Sequence, residues 1–143
     1  FGLLAVLQSS ILVVLLLGPL GIELTGPAWA LLLLSFLGAV IGVAFGLLAS
    51  AFARTEFQAV QFMPVFIAPQ VFLCGLLVPK EQLPDALEAI ANWLPMTWAV
   101  DVVRDVLANP ELGSDSWWRF AALAGVIFAA LLIAAASMPR KTR

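Results

Sequence analysis

The stretch AWALLLLSFLGAVIGVAFGLLASAFA, residues 28–53, decides the fold of this chain. It carries no charged side chain, and it is longer than the roughly 20 apolar residues that cross a hydrocarbon layer of about 30 Å. Similar uncharged stretches occur at both ends of the chain and in its middle. We therefore predict an all-α integral membrane fold with four transmembrane helices, approximately at residues 1–22, 28–53, 57–78 and 117–138.

The composition agrees with a membrane protein and excludes several kinds of site. Of 143 residues, 63% are hydrophobic and 11% are charged, whereas soluble domains are about 45–50% apolar and about 25% charged. The chain has no histidine and one cysteine, Cys74. This excludes a histidine-based triad, a histidine metal site and an internal disulfide. The net charge of −2 gives no support for binding nucleic acid.

The sequence also lacks the motifs of common enzymes. It has no glycine-rich phosphate loop ending in Gly-Lys-Ser or Gly-Lys-Thr, and no nucleophile elbow. Apart from Arg119 near one end, no ionisable residue lies within a predicted span, whereas ion-coupled transporters place such groups at mid-membrane. We therefore predict no catalytic residue, no metal site and no cofactor in this chain.

The distribution of charge predicts the orientation. Arg54 follows the second span and three basic residues, at positions 140, 141 and 143, follow the fourth, whereas the opposite side holds eight of the nine acidic residues and all five tryptophans. The positive-inside rule then places residues 53–59 and the C-terminus in the cytoplasm, with the protein in the inner (plasma) membrane. Because the chain starts at Phe1 inside a hydrophobic run, we expect it to be part of a longer protein.

The long outer segment between the last two spans predicts two short amphipathic helices, approximately at residues 83–94 and 97–108. Pro84 suits the first turn of the first helix, and Pro95 separates the two. Such helices either lie flat in the membrane interface or dip into the membrane and return, and the pattern alone leaves both open.

Charged residues of the second outer helix suggest two contacts. Asp101 and Arg104 are three residues apart and can form an ion pair. Asp101 and Asp105 share a face, which fits either a cation site or, more commonly, a solvated surface.

Small residues recur every four positions in the second span, and this spacing lets helices approach closely. The pattern predicts helix packing within the bundle or, alternatively, a dimer contact or a moving surface. These residues are Gly38, Gly42, Gly46 and Ser50.

The third span combines prolines with glutamines. Pro64 and Pro69 each remove a backbone hydrogen bond and can kink the helix. Gln61 and Gln70, with Pro64, make this span the best candidate for lining a polar or amphipathic path. The alternative is that the glutamines bond a neighbouring helix.

Three parts of the sequence resemble ABC-2 type transporter permeases. They are the run from Pro69 to Pro79, the Leu83-Pro84 pair, and the turn from Asn92 to Trp98 followed by Asp101 and Arg104. The similarity is greatest to drug and antibiotic exporters of the daunorubicin-resistance type. Two departures are the two residues between Asn92 and Pro95 and a cysteine, Cys74, where the family often has serine. The residues that carry the resemblance are Pro69, Gly75, Pro79, Pro84, Pro95, Thr97, Asp101 and Arg104.

The resemblance implies that the chain holds the last four spans of a six-span permease, with the outer helices forming a re-entrant, gate-like element. It implies an exporter that works by alternating access. Its partners are a separate ABC ATPase subunit, which binds ATP and Mg²⁺, a second permease protomer and membrane lipids. The main alternative is a non-transporting membrane scaffold, or an assembly or immunity protein of the same fold. A third is a membrane-embedded lipid enzyme. The absence of mid-membrane charge favours an apolar or amphipathic substrate.

Overall fold

The computed structural model describes residues 2–137, and these residues form α-helices and one 3-10 turn without any β-strand. This confirms the all-α prediction. Arg140, Lys141 and Arg143, on which the prediction of a cytoplasmic C-terminus partly depends, lie outside the described residues. The helices are α1 (Gly2–Leu17), α2 (Ala28–Phe52), α3 (Glu56–Leu73), α4 (Asp85–Ala91), α5 (Pro95–Ala108) and α6 (Ser114–Ser137), with the turn at Lys80–Gln82.

Only α2 and α6, among the described helices, are long and apolar enough to cross a membrane. The prediction of four such helices is therefore wrong in number. Helix α1 has 16 residues, which span about 24 Å at 1.5 Å per residue. It ends before Gly18-Pro19, and Gly21 then turns the chain with φ of 59°. The apolar run to residue 22 is thus longer than the helix.

Helix α3 falls short for two different reasons. Its 18 residues span about 27 Å, because the helix stops at Leu73 and residues 74–79 are not helical. It also begins with the acidic Glu56 and contains three glutamines, which make it more polar than α2. The backbone stays helical through Pro64 and Pro69.

The buried core joins α2 and α6 to the outer helix α5. Trp98, Val102 and Val106 of α5 are buried against the first turns of α2 and α6, down to Leu34 and Leu123. Leu34 lies six residues into α2, which is about 9 Å along its axis. Helix α5 therefore contributes one face to the core, while Arg104 and Leu107 on its other side are exposed. The core also includes Val13 of α1, Ala30 and Leu31 of α2 and Phe120 of α6.

A backbone contact fastens the start of α2 to the end of α5. The Gly26 N–H donates to the Val106 carbonyl over 2.8 Å. A Cβ at Gly26 would lie 2.7 Å from the Asn109 carbonyl oxygen and 2.8 Å from that of Val106. Only glycine fits this approach, which closes the outer end of the bundle.

Helices α1 and α3 leave most of their apolar side chains uncovered by the rest of the described chain. Helix α1 buries only Ser9 and Val13, and α3 buries no residue. Both pack along α2. A hydrogen bond from the Gln58 N–H to the Thr55 hydroxyl caps the start of α3. The outward faces of α1 and α3 are therefore available to lipid or to another chain.

Candidate functional site

The first part of the site is the turn that ends α3. Gly75 has φ of 87°, a conformation that L-residues with a side chain rarely adopt. Its carbonyl accepts a hydrogen bond of 2.5 Å from the Arg104 guanidinium of α5. A Cβ at Gly75 would lie 3.4 Å from Lys80 Cγ and 3.5 Å from Arg104 Nη1. Two residues of the predicted motif, Gly75 and Arg104, thus meet in one contact.

The second part is an ionic cluster around Asp101. Lys80 Nζ lies 3.0 Å and 3.3 Å from the two carboxylate oxygens of Asp101, and Arg119 Nη2 lies 3.7 Å from one of them. The side chains of Lys80 and Asp101 are 17% and 15% exposed, so water screens this pair only partly. The cluster connects the turn before α4, helix α5 and the start of α6. We call Lys80, Asp101 and Arg119 the outer ionic cluster.

The predicted ion pair between Asp101 and Arg104 is wrong. Arg104 points to the Gly75 carbonyl and Asp101 to Lys80 and Arg119. Residues three apart on a helix diverge by about 60° around its axis. This divergence lets the two side chains serve different partners on either side of the same turn.

Asp105, one turn beyond Asp101, connects α5 to the start of the last helix. Its carboxylate accepts hydrogen bonds from the Ser116 hydroxyl, the Asn109 side chain at 2.6 Å and the Gly113 N–H at 3.3 Å. The hydrogen bond from Ser116 is the largest reason that the pKa of Asp105 lies below its ordinary value. Asn109, Gly113 and Arg119 add to that effect, and desolvation opposes it. Asp101 and Asp105 thus bond separate groups and do not converge on a common cation.

Thr97 and Trp98 lie at the buried start of α5. Thr97 is 1% exposed, and its hydroxyl has no hydrogen-bond partner among the described residues. The Trp98 indole donates to the Asn92 carbonyl over 2.9 Å and meets the Trp118 ring edge-on at 5.8 Å. These contacts fix the turn between α4 and α5 against the first turn of α6.

The prolines of the predicted motif delimit the outer element. Pro84 precedes α4 and Pro95 is the first residue of α5, where a missing N–H costs no helical hydrogen bond. Pro79 precedes the turn at Lys80–Gln82, and Pro69 lies exposed within α3. Two helices lie where we predicted the pair between the last two spans, although α4 is shorter than expected and ends at Ala91, and α5 begins two residues early, at Pro95.

A mostly apolar cavity of about 340 Å³ lies below this element, between α2, α3 and α5. We call it the apolar slot. Among the described residues that line it, Gln70 has the one polar side chain, and Leu123 of α6 contributes to one wall. The lining residues are Leu34, Gly38, Ile41, Gly42, Phe45, Ala49, Met63, Phe66, Ile67, Gln70, Pro95, Met96, Ala99 and Leu123.

The glycine stripe of α2 lines this slot at two positions. A Cβ at Gly38 or Gly42 would meet nothing within 4 Å, and one at Gly46 would lie 3.8 Å from Met63 Cε. Ser50 is exposed. Within this chain, Gly38 and Gly42 therefore open a cavity and do not make the close helix contact that we predicted. Contact with a second protomer stays a prediction.

The candidate path residues of α3 separate into two groups. Gln70 donates from its side-chain nitrogen to the Phe66 carbonyl over 3.0 Å, and its oxygen accepts from the Met96 N–H at 3.4 Å. Gln61 and Pro64 are exposed on the surface of α3. Gln70 thus links α3 to α5, while Gln61 and Pro64 face away from the described bundle.

Sequence reasoning missed the partners of Asp101 and the close approach at Gly26. A signal for the first existed, since Arg119 lies just inside a spanning helix and a charge there needs a partner. Nothing in the spacing indicated that, among the acidic residues of the outer segment, Asp101 would be the partner of Arg119. No local pattern marked Gly26, because its contact is with α5, far along the chain.

Comparison with known proteins covers most of the described helices. Residues 1–108 match the family model described as ABC-2 type transporter. Nodulation protein J of Bradyrhizobium diazoefficiens is 35% identical over 81 residues, which are 54% of this chain and 30% of that protein. No solved structure is significantly similar to the chain.

Two further relatives carry transporter names. Linearmycin resistance permease protein LnrN of Bacillus subtilis is 31% identical over 96 residues, which are 66% of this chain and 24% of that protein. ABC transporter G family member 20 of Dictyostelium discoideum is 27% identical over 104 residues, which are 73% of this chain and 14% of that protein. The chain thus spans less than a third of each relative.

Proposed function

The chain belongs to the ABC-2 type transporter family, and on this premise we propose that it is part of the permease subunit of an ATP-driven exporter. Family membership and the apolar helices indicate an integral membrane protein that is a membrane subunit without catalytic activity of its own. A separate ABC ATPase subunit would bind ATP and Mg²⁺ and supply the energy. The proposal extends to drug or antibiotic efflux, for which the linearmycin resistance permease among the relatives is the support.

The observation that carries the proposal is the contrast between the outer end of the bundle, which is held by several contacts, and the face of α3, which is uncovered. The outer end is fastened by the Arg104–Gly75 contact, the outer ionic cluster and the Gly26–Val106 bond. The face of α3 below it buries no residue. A fastened outer element above an uncovered helix face is what a gate above a path between two protomers requires.

We place the translocation path along the exposed face of α3. Gln61 and Pro64 lie there, and the helix holds two prolines that weaken its backbone bonding. A second permease protomer, identical or related, would cover the other side. Closure of the ATPase subunits would then shift the pair between inward-open and outward-open states, since a ligand shifts an equilibrium only through differential affinity.

The proposed orientation has the loop at residues 53–55 in the cytoplasm and the α4–α5 element outside. Arg54 is on the first side, and the outer ionic cluster with most acidic residues is on the other. Trp29 and Trp117 pair at the proposed outer ends of α2 and α6, and Trp98 of α5 pairs with Trp118 of α6. Indole rings favour the headgroup layer, which supports this placement.

The test uses the complete protein with its ATPase subunit in liposomes. We expect ATP-dependent, vanadate-sensitive movement of an amphipathic fluorescent compound, and we expect its loss when the ATP-binding lysine of the partner is replaced. The variant Gln61→Leu changes the substrate concentration for half-maximal transport, because it alters the path face without touching a packed contact. Stable assembly with no ATP-dependent movement of any amphipathic compound contradicts the exporter and favours a scaffold.

A further inference from the structure

The apolar slot has the length and the chemistry of a site for one hydrocarbon chain, and we propose that it binds an acyl chain of a membrane phospholipid. The slot follows α2 from Leu34 to Ala49. Fifteen residues of helix correspond to about 22 Å. The two limits lie six residues after the start and three residues before the end of α2, one of the two helices that can cross a membrane, so most of the slot lies at the depth of the hydrocarbon layer.

The lining offers little to a polar ligand. Gln70, its one polar side chain, uses its nitrogen and its oxygen in bonds to Phe66 and Met96. An apolar cavity without free polar groups stays dry and takes up apolar molecules, as engineered cavities of about 150 Å³ do. This slot is larger, at about 340 Å³. A hydrocarbon chain would supply the dispersion contacts that the empty walls lack.

The bilayer is the source that the geometry favours. The α3 wall consists of Met63, Phe66 and Ile67, which are 40%, 43% and 48% exposed. These side chains lie on the opposite side of α3 from Gln61, away from the proposed path. Because they both line the slot and reach the surface of the bundle, they give membrane lipid a short route into it. No charged residue lines the slot, so the site recognises a chain and not a headgroup.

Glycine makes the slot wide enough. At Gly38 and Gly42 a side chain would enter open space, because nothing lies within 4 Å of a Cβ built at either position. The Cβ of a leucine at position 42 would therefore displace no neighbouring atom, and the rest of its side chain would take up volume of the slot. Gly125 of α6 offers a matched control. A Cβ built there also has no atom within 4 Å, and the residue lies in a helix long enough to span the membrane but does not line the slot.

The experiment photolabels the complete protein in nanodiscs with a phosphatidylcholine that carries a diazirine near the middle of one acyl chain. Mass spectrometry then measures the labelling of α2 and α3 peptides. We expect labelling at slot residues, and a loss of about tenfold in Gly42→Leu, which corresponds to about 1.4 kcal/mol. Gly125→Leu should retain the labelling of the parent protein.

Additional variants and probes distinguish an acyl chain in the slot from an anionic headgroup or a second protomer. The milder variant Gly42→Ala adds one methyl group and should give intermediate labelling, which keeps the test valid if the leucine variant does not fold. A phosphatidylglycerol probe should label equally, and labelling that requires the anionic headgroup overturns the proposal. Equal labelling of the parent and of Gly42→Leu also overturns it. So does a cysteine at position 42 that cross-links to a second copy, because the slot is then a subunit contact.

This inference does not rest on the proposed export function. Photolabelling needs neither ATP nor the ATPase subunit, so a protein that transports nothing can still show the lipid site. Conversely, vanadate-sensitive transport with no labelling at the slot refutes the proposed lipid site and leaves the proposed export function standing.

Discussion

Replacing Asp101 by asparagine tests the outer ionic cluster most directly. The change keeps the shape of the side chain but removes the charge that lies 3.0 Å from Lys80 and 3.7 Å from Arg119. An exposed ion pair contributes about 0.2–1 kcal/mol, and breaking a buried pair costs about 3–5 kcal/mol. With side chains of Lys80 and Asp101 that are 17% and 15% exposed, we expect a loss between these limits, about 2 kcal/mol.

The assay is reversible unfolding of the complete protein in mixed micelles as the denaturing detergent fraction is raised. Glu111→Gln is the control, because it removes a carboxylate from an exposed position of the same outer segment and should change the unfolding free energy by less than about 0.5 kcal/mol. A double-mutant cycle with Lys80→Met isolates the pair and should give a coupling of about 1 kcal/mol or more. Equal losses for Asp101→Asn and Glu111→Gln, or additive effects in the cycle, would refute the assignment of Asp101 as the centre of the cluster.

Three other substitutions follow from contacts described above. Gly26→Ala should cost about 2–4 kcal/mol, from overpacking and a lost backbone hydrogen bond, whereas Gly125→Ala should be neutral or stabilising. Similar losses for the two in a thermal unfolding series would contradict the close approach at Gly26. Gly75→Ala should cost about 1–2 kcal/mol, since φ of 87° disfavours a side chain; a neutral effect on unfolding would show that this turn relaxes freely. The hydrogen bond that Ser116 donates lowers the pKa of Asp105 in the folded protein. The ionised carboxylate therefore stabilises the fold at pH values above the ordinary pKa of 3.8, and this stabilisation is lost as the pH falls through the lowered pKa. Asp105→Asn should reduce the free energy of unfolding by about 1 kcal/mol at neutral pH and flatten its decrease with acid, and an unchanged acid profile would contradict the role of these hydrogen bonds.

Local patterns were sufficient for the elements that depend on local chemistry. Uncharged length predicted α2 and α6, and Pro84 predicted the start of α4 to within two residues, whereas α5 begins at Pro95, two residues before the predicted start at Thr97. The same patterns overestimated α1 and α3, because hydropathy continues past Gly18 and past Leu73 while the helical backbone does not. Helix α3 ends just before the turn at Gly75. The apolar residues 76–78 that follow this turn made the helix look longer in the sequence.

The contacts of the candidate site were not available from spacing. Asp101 and Arg104 are close in sequence, but their partners are determined by which elements pack against each side of α5. Lys80 comes from the turn before α4 and Gly75 from the end of α3. Likewise, a glycine every four residues predicts a surface without side chains, and only the position of α3 determines whether that surface is packed or, as at Gly38 and Gly42, left open.

The bond between Gly26 and Val106 has a consequence for the order in which the protein is made. Its two residues are separated by 80 positions of the chain, and a ribosome adding about 5–20 residues per second makes the second one about 4–16 s after the first. Throughout that interval the first turns of α2 lack the helix that later covers Leu31 and Leu34. The outer end therefore closes only after α5 has been synthesised, and a chain stalled before that point would present its membrane insertion machinery with an open bundle.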